Sequence, residues 1–322
     1  MSSRRCLLTA WLTLLWLCFL LVVDAQQSDK EPAYSGNLGS ELTNLRNRAA
    51  RGDAKANYQL GHLYITGTGV SLDYEQAAKY LQVAAQQGLP DAESLLGYLH
   101  EQGKGMPRDY RQALDYYTAA ATKGNVTAAN NLAVMYERGY GVRKNLRQAE
   151  HWYVFAAERG NSPAQCNLAS LYFRGKGISK NYARAAEWFQ KAAEGGYAPG
   201  QQLLAWMYFK GTGVPQDYGM AVHWLQSAAR GGDPRAQIDL AYLYEQGKGV
   251  PLDYVSSYMW YKTAESGGEA RARQELKDLS GRMTKQQISQ ADAAATELSA
   301  SMRKGESVEE SQTIGNAFVP GP

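Results

Sequence analysis

The residues able to do chemistry are few and do not converge. Four histidines, His62, His100, His151 and His223, could ligate a metal or carry a proton, but none has a second His, Cys or acid at metal-ligand spacing. No Gly-x-Ser-x-Gly nucleophile elbow occurs. Glycine pairs at 67/69, 103/105, 139/141, 175/177, 211/213 and 247/249 resemble half of a dinucleotide-binding loop, yet they lack its third glycine and recur six times. The three Gly-Lys pairs among them are followed by Gly, where a phosphate-binding loop needs Ser or Thr. Carboxylates are scattered over helix caps and solvated faces. Asn125-Val126-Thr127 matches the short glycosylation acceptor pattern, which also arises by chance. These observations nominate no catalytic residue, metal or cofactor. What remains is a set of aromatic side chains beside Arg and Lys, the composition of peptide-binding hot spots: Phe173, Arg174, Trp206, Phe209 and Lys210, joined by Tyr98, Arg138 and Tyr242.

A strict period must position them. Gly52, Gly88, Gly124, Gly160, Gly196, Gly232 and Gly268 stand 36 residues apart, the mark of a stacked repeat array. The units are 52–87, 88–123, 124–159, 160–195, 196–231 and 232–267, with a partial seventh. Each holds two helical stretches around a Gly-x-Gly loop, whose glycines allow positive φ and a sharp return. Asp73, Asp109, Asn145, Asn181, Asp217 and Asp253 close the loops as N-caps of the second helix, and Gln76, Gln112 and Gln148 complete capping boxes. Pro90, Pro163, Pro199 and Pro234 fall in first turns, where a missing N–H is harmless. The second helices carry the column Tyr80, Tyr116, Trp152, Trp188, Trp224 and Trp260, which recurs in one register and so reads as packing.

Both ends read as caps. Residues 40–51, with Ser40 as N-cap and Leu42, Leu45 and Ala49 as apolar face, form an N-terminal capping helix after a flexible linker at 26–39. Thr284-x-x-Gln287 opens a C-terminal capping helix within 282–304 whose stripe is Ile288, Ala291, Ala295, Leu298 and Met302. The tail from 305 to 322, rich in Glu, Ser, Gly and Pro, is expected to be disordered.

Across residues 52–281 the chain resembles the Sel-one-like repeat family, relatives of the tetratricopeptide repeats. The resemblance rests on Ala-x-x-x-Leu-Gly/Ala-x-x-Tyr, the Gly-x-Gly loop, Asp/Asn-Tyr, and paired Ala ahead of the unit glycine. His100 and Leu146 replace tyrosines, and Ser257 and Glu265 replace alanines in the last full unit, which is expected to pack less tightly. The expected fold is all-α, a right-handed α-solenoid of antiparallel helix pairs, six 36-residue repeats plus capping helices. In related arrays the first helices line the concave side. Two columns vary there: His62, Tyr98, Val134, Ser170, Trp206 and Tyr242, then Ile65, Glu101, Glu137, Phe173, Phe209 and Glu245. The resemblance implies a non-enzymatic adaptor that holds a protein or peptide in this groove. The alternative is an envelope protein binding a peptidoglycan fragment, as some cysteine-rich relatives do; the cysteine pairs of those relatives are missing here. A hydrolase has no residues to nominate.

Arg4 and Arg5 precede the apolar run Cys6–Val23, and Val23-Asp24-Ala25 suits signal peptidase, so residues 1–25 read as an export signal. At 18 residues the run could also stay uncleaved as an anchor. The chain is then periplasmic or secreted, or held at the inner membrane by residues 6–23. Cleavage would remove Arg4, Arg5 and Asp24 from 34 basic and 31 acidic residues, leaving 32 against 30, a balance that excludes nucleic acid as a partner. Cys6 and Cys18 lie in the signal, so Cys166 alone remains and no internal disulfide can form.

Overall fold

The computed structural model describes residues 38–175 and 178–315. The export signal, most of the linker and residues 316–322 lie outside them. Fifteen helices, and no strand, are formed among the described residues: α1 (Leu38–Ala50), α2 (Ala54–Thr66), α3 (Tyr74–Gln86), α4 (Pro90–Gln102), α5 (Tyr110–Thr122), α6 (Val126–Arg138), α7 (Leu146–Ala157), α8 (Ser162–Arg174), α9 (Tyr182–Glu194), α10 (Ala198–Lys210), α11 (Tyr218–Arg230), α12 (Pro234–Gln246), α13 (Tyr254–Ser266), α14 (Ala270–Ser280) and α15 (Lys285–Gly315). This is the all-α solenoid of paired helices, six repeats long. The chain divides into two compact units, residues up to 168 and residues 169–175 with 179 onward.

In the first unit α1 packs on α2, and the pairs α2·α3, α4·α5 and α6·α7 follow. Small residues set how closely each pair packs. A Cβ on Gly97 would fall 2.7 Å from the Tyr117 ring, and one on Gly61 would fall 2.6 Å from Leu81 Cγ. The core is alanine and leucine, with Ala56, Leu60, Ala77, Leu81, Ala92 and Leu99 buried. In the second unit α10·α11 and α12·α13 pair likewise, α14 packs on α13, and α15 lies against α13. Ala291 of α15 is buried in that core, and Ile288, Leu298 and Met302 pack against it.

In the loops at 103/105, 139/141, 211/213 and 247/249 the two glycines do different work. The first ends its helix in the left-handed region, as Gly103 does at φ +68° with its N–H on Leu99 O. The second sits against the preceding unit: a Cβ on Gly105 would run into the Tyr74 carbonyl and come within 2.7 Å of Glu75 N. Gly141 over Tyr110 repeats this, as do Gly213 over Tyr182 and Gly249 over Tyr218 in the second unit. In these four loops the second glycine is therefore an inter-repeat contact as well as a turn.

Two helix ends and one capping pattern differ from the sequence reading. α1 begins at Leu38, so Ser40 lies inside the helix and not at its cap; Glu41 in the first turn complements the helix dipole. The capping boxes at Asp73, Asp109 and Asn145 are one-sided. Each cap side chain accepts from the N–H three residues on. The cap's own N–H is already taken, donating to Tyr64 O, His100 O and Tyr136 O at 2.9 Å, and this leaves the glutamines no reciprocal role. The Thr284 and Gln287 box is reciprocal, with Thr284 N–H on Gln287 Oε1 at 2.9 Å and Gln287 N–H on Thr284 Oγ1 at 3.3 Å. Finally, α15 runs to Gly315, past the expected end at 304. Glu and Gln between 306 and 312 have good helix propensity, and one interior glycine, Gly305, costs only about 1 kcal/mol.

Candidate functional site

One of the two groove columns, Ile65 to Glu245, turns out to serve the array itself. Glu101 accepts the Tyr117 hydroxyl at 2.8 Å, Glu137 accepts that of Tyr153 at 2.9 Å, and Glu245 accepts that of Tyr261 at 3.4 Å. In every case the two residues are 16 apart. In the other units the same two registers hold Ile65 with Leu81, Phe173 with Phe189, and Phe209 with Leu225, both members apolar. The variation between units is thus compensated within each unit: a carboxylate stands where a hydroxyl meets it, and hydrocarbon where it does not. Burial raises the Glu101 carboxyl above the usual carboxylate range.

A second recurring device ties four of the six units to the helix before them. Asn57 and Gln165 donate side-chain amides to Ala49 O and Ala157 O at 3.1 and 3.0 Å, and Gln201 and Gln237 do so to Ala193 O and Ala229 O at 3.1 Å. Each satisfies a carbonyl at a helix C-terminus, worth about 1 kcal/mol. In the second repeat Glu93 holds this register and pairs with Lys123 at 2.6 Å.

Of the eight residues proposed as partner-binding, Tyr98 and Arg138 lie in the first unit. The Tyr98 hydroxyl takes a hydrogen bond from Lys104 Nζ at 2.7 Å, and that ammonium also stands over the Tyr98 and Tyr74 rings. Arg138 is half-buried at the end of α6. The other six are in the second unit. Phe173 meets Trp206 edge-on with centroids 5.4 Å apart, and Arg174 turns back on its own helix to Ser170 O at 3.1 Å. Trp206, Phe209, Lys210 and Tyr242 line one open cavity of about 80 Å³ among α10, α11, α12, α13 and α14. The three aromatics are half-buried there and Lys210 is exposed. Lys210 and Lys248 both stand over the Phe209 face, at 5.2 and 5.3 Å.

The cavity also holds polar groups that the sequence reading missed: Gln202, Asp239, Tyr261, Arg271 and Glu275. Gln202 Nε2 donates to Asp239 Oδ2 at 3.0 Å across one repeat. Two repeats earlier the same step is made by neutral groups, Asn167 Nδ2 donating to Asn130 Oδ1 at 3.0 Å. Asp239 is part-exposed by surface area, but its carboxyl lies among protein atoms, and burial pushes its pKa up to about 6 against the opposing effects of Gln202, Arg271 and Arg235. Glu275 occupies the next rung of the same register and stands largely exposed, yet nearby protein atoms, Glu245 and Asp278 raise its carboxyl too. The available signal was an acid at 239 inside a helix beside core Leu240, where earlier units carry Gln59, Leu95, Asn131, Asn167 and Leu203.

Elsewhere, Asn125 uses its side chain as an N-cap for Ala128 N and in a bond to Asp91. Cys166 is buried. Among the described residues no three His, Cys, Asp or Glu side chains gather as metal ligands, and no helix is long and apolar enough to cross a membrane.

Comparison with known proteins agrees with this architecture. The Sel1 repeat profile matches six times, at residues 54–89, 90–125, 126–161, 162–197, 198–233 and 234–269. A Sel1 repeat protein from Oxalobacter formigenes is 28% identical over 77% of this chain and 96% of its own, with a TM-score of 0.65. A Sel1 repeat protein from Klebsiella pneumoniae is 23% identical over 63% of this chain and 98% of its own (TM-score 0.43), and the immunity protein Pa5087 from Pseudomonas aeruginosa is 21% identical over 66% and 80% (TM-score 0.43). No curated protein matches the sequence. With six registered matches over two thirds of its length, the chain belongs to the Sel1 repeat family, whose members are typically scaffolds for protein–protein interaction.

Proposed function

We propose that this protein is a non-enzymatic scaffold of the cell envelope that holds a segment of a partner protein on the first-helix face of residues 198–275. The observation that carries the reading is the half-burial of Trp206, Phe209 and Tyr242 around an open cavity. These three line an open cavity, whereas Tyr117, Tyr153 and Phe189 are closed into the core. Export is supported by Arg4, Arg5 and the apolar run Cys6–Val23, which also suit an uncleaved anchor. N-terminal sequencing of the mature protein distinguishes the two.

The binding experiment is a comparison of wild type with the Trp206→Ala/Phe209→Ala double variant in affinity capture from an envelope extract. The reading expects a protein retained by wild type and lost by the variant, with helical circular dichroism preserved in both. Loss of helicity in the variant would assign these aromatics to packing, and retention of glycan alone would make the ligand a wall fragment.

A further inference from the structure

Three features of the cavity go beyond what building the array requires. First, Asp239 performs a polar step that Asn130 and Asn167 perform without charge, so the fold does not require a carboxylate there. Second, Glu275 places another carboxylate on the next rung, 36 residues on, at the same cavity. Third, the cations acting on Asp239, Arg271 and Arg235, do not cancel the effect of burial on it, and Asp233 adds to the negative charge. Two acids are thus gathered against aromatic walls, and the cations nearest Asp239 do not offset its burial. The protein's own lysines show that such walls suit an ammonium: Lys104 sits over Tyr74 and Tyr98, and Lys248 sits over Phe209, Tyr218 and Tyr242.

We propose that this cavity anchors a basic side chain, lysine or arginine, of the bound segment, with its alkyl stem against Trp206 and Tyr242 and its charged head at Asp239 and Glu275. A long basic side chain suits a site with an apolar wall and a charged end, because its stem and head have the same division. The arrangement also orders the segment: Lys210 at the Phe209 side repels the basic head and directs it toward the acids. Binding a cation lowers the proton affinity of both carboxylates, so affinity falls as they protonate. The other charged or titratable groups acting at the cavity are Lys210, Tyr261, Arg271, Arg235 and Asp233, with Glu245, Asp278 and Arg282 around Glu275.

The inference rests on the groove reading above and can fail separately from it. The experiment selects phage-displayed random 12-residue peptides on the full chain at pH 7.5, then measures synthetic copies by calorimetry. Expected are peptides sharing one Lys or Arg position, about tenfold weaker binding when norleucine replaces it, and a similar loss in Asp239→Asn and in Glu275→Gln. Wild-type affinity for the basic peptide should fall several-fold from pH 7.5 to pH 5. Glu275 is exposed, so its variant reports on binding even if the change at 239 disturbs the fold. Peptides that lose binding in Trp206→Ala but share no basic position, or share an acidic one, would overturn the basic anchor and leave the groove. Failure to select any peptide would overturn both.

Discussion

Replacing Asp239 by Asn should make the protein more stable at neutral pH, and only there. The Asp239 carboxyl has a folded pKa of about 6 against an ordinary value of 3.8, so between these values the folded form holds the proton more tightly than the unfolded chain. A group raised in this way contributes stability that is complete below about pH 4 and is lost as pH rises through 6. A difference of that size between the folded and unfolded chains corresponds to at most about 3 kcal/mol. Asn at 239 can accept the Gln202 amide through Oδ1 or donate to it, as Asn167 in the same register donates to Asn130, and it carries no charge to desolvate. Urea unfolding followed by tryptophan fluorescence at pH 4.5, 6 and 7.5 measures the difference. The variant should exceed wild type by about 1 kcal/mol or more at pH 7.5, as a fraction of that ceiling, with the gap closing toward pH 4.5. A gap independent of pH, or a variant weaker at pH 7.5, would refute the reasoning. Glu275 titrates in both proteins and cancels.

Three further outcomes follow from the packing. Glu101→Phe and Tyr117→Phe should each destabilise, by about 1–3 kcal/mol for a stranded buried partner, whereas the double variant, which reproduces the Phe173 and Phe189 pairing, should lose less than the sum; additivity within about 0.5 kcal/mol in urea titration would deny the coupling. Ser257 is fully buried with no partner for its hydroxyl, in a register that the other five units fill with alanine, so Ser257→Ala should raise the unfolding midpoint by an amount equivalent to about 1 kcal/mol; an unchanged or lower midpoint counts against it. Gly105→Ala should cost more than about 2 kcal/mol, because positive φ and the Tyr74 carbonyl both exclude a Cβ, while Ala at Gly88, where only the tip of the Lys123 side chain lies within 4 Å, meets little beyond the φ penalty. Thermal melts of the two variants side by side check this, and equal losses would contradict it.

The fold was legible because the period registers every unit. Glycines, caps and alanine columns each bear a local physical meaning that six copies reinforce. The second glycine of each loop read as a turn residue, since only the folded structure brings Gly105 onto Tyr74. The capping glutamines misled because the sequence does not reveal where a cap N–H goes, and here it goes back to the first helix. In the candidate site, Trp206, Phe209, Lys210 and Tyr242 were found from composition and column variation, and they share a cavity. The same logic overreached at the Ile65-to-Glu245 column, whose variation is matched sixteen residues later and could have been read by comparing both columns. Asp239 was missed because a single acid among neutral residues looks like surface unless its helical face is tracked.

Site-specific photocrosslinking in the native envelope tests the central claim most directly. A photoreactive phenylalanine analogue is placed at exposed Lys210 on the first-helix face, or at exposed Glu187 on a second helix. The account predicts one defined protein adduct from position 210, lost when Trp206 is Ala, and none from position 187. Adducts from 187 alone, or equal adducts from both positions, would contradict it.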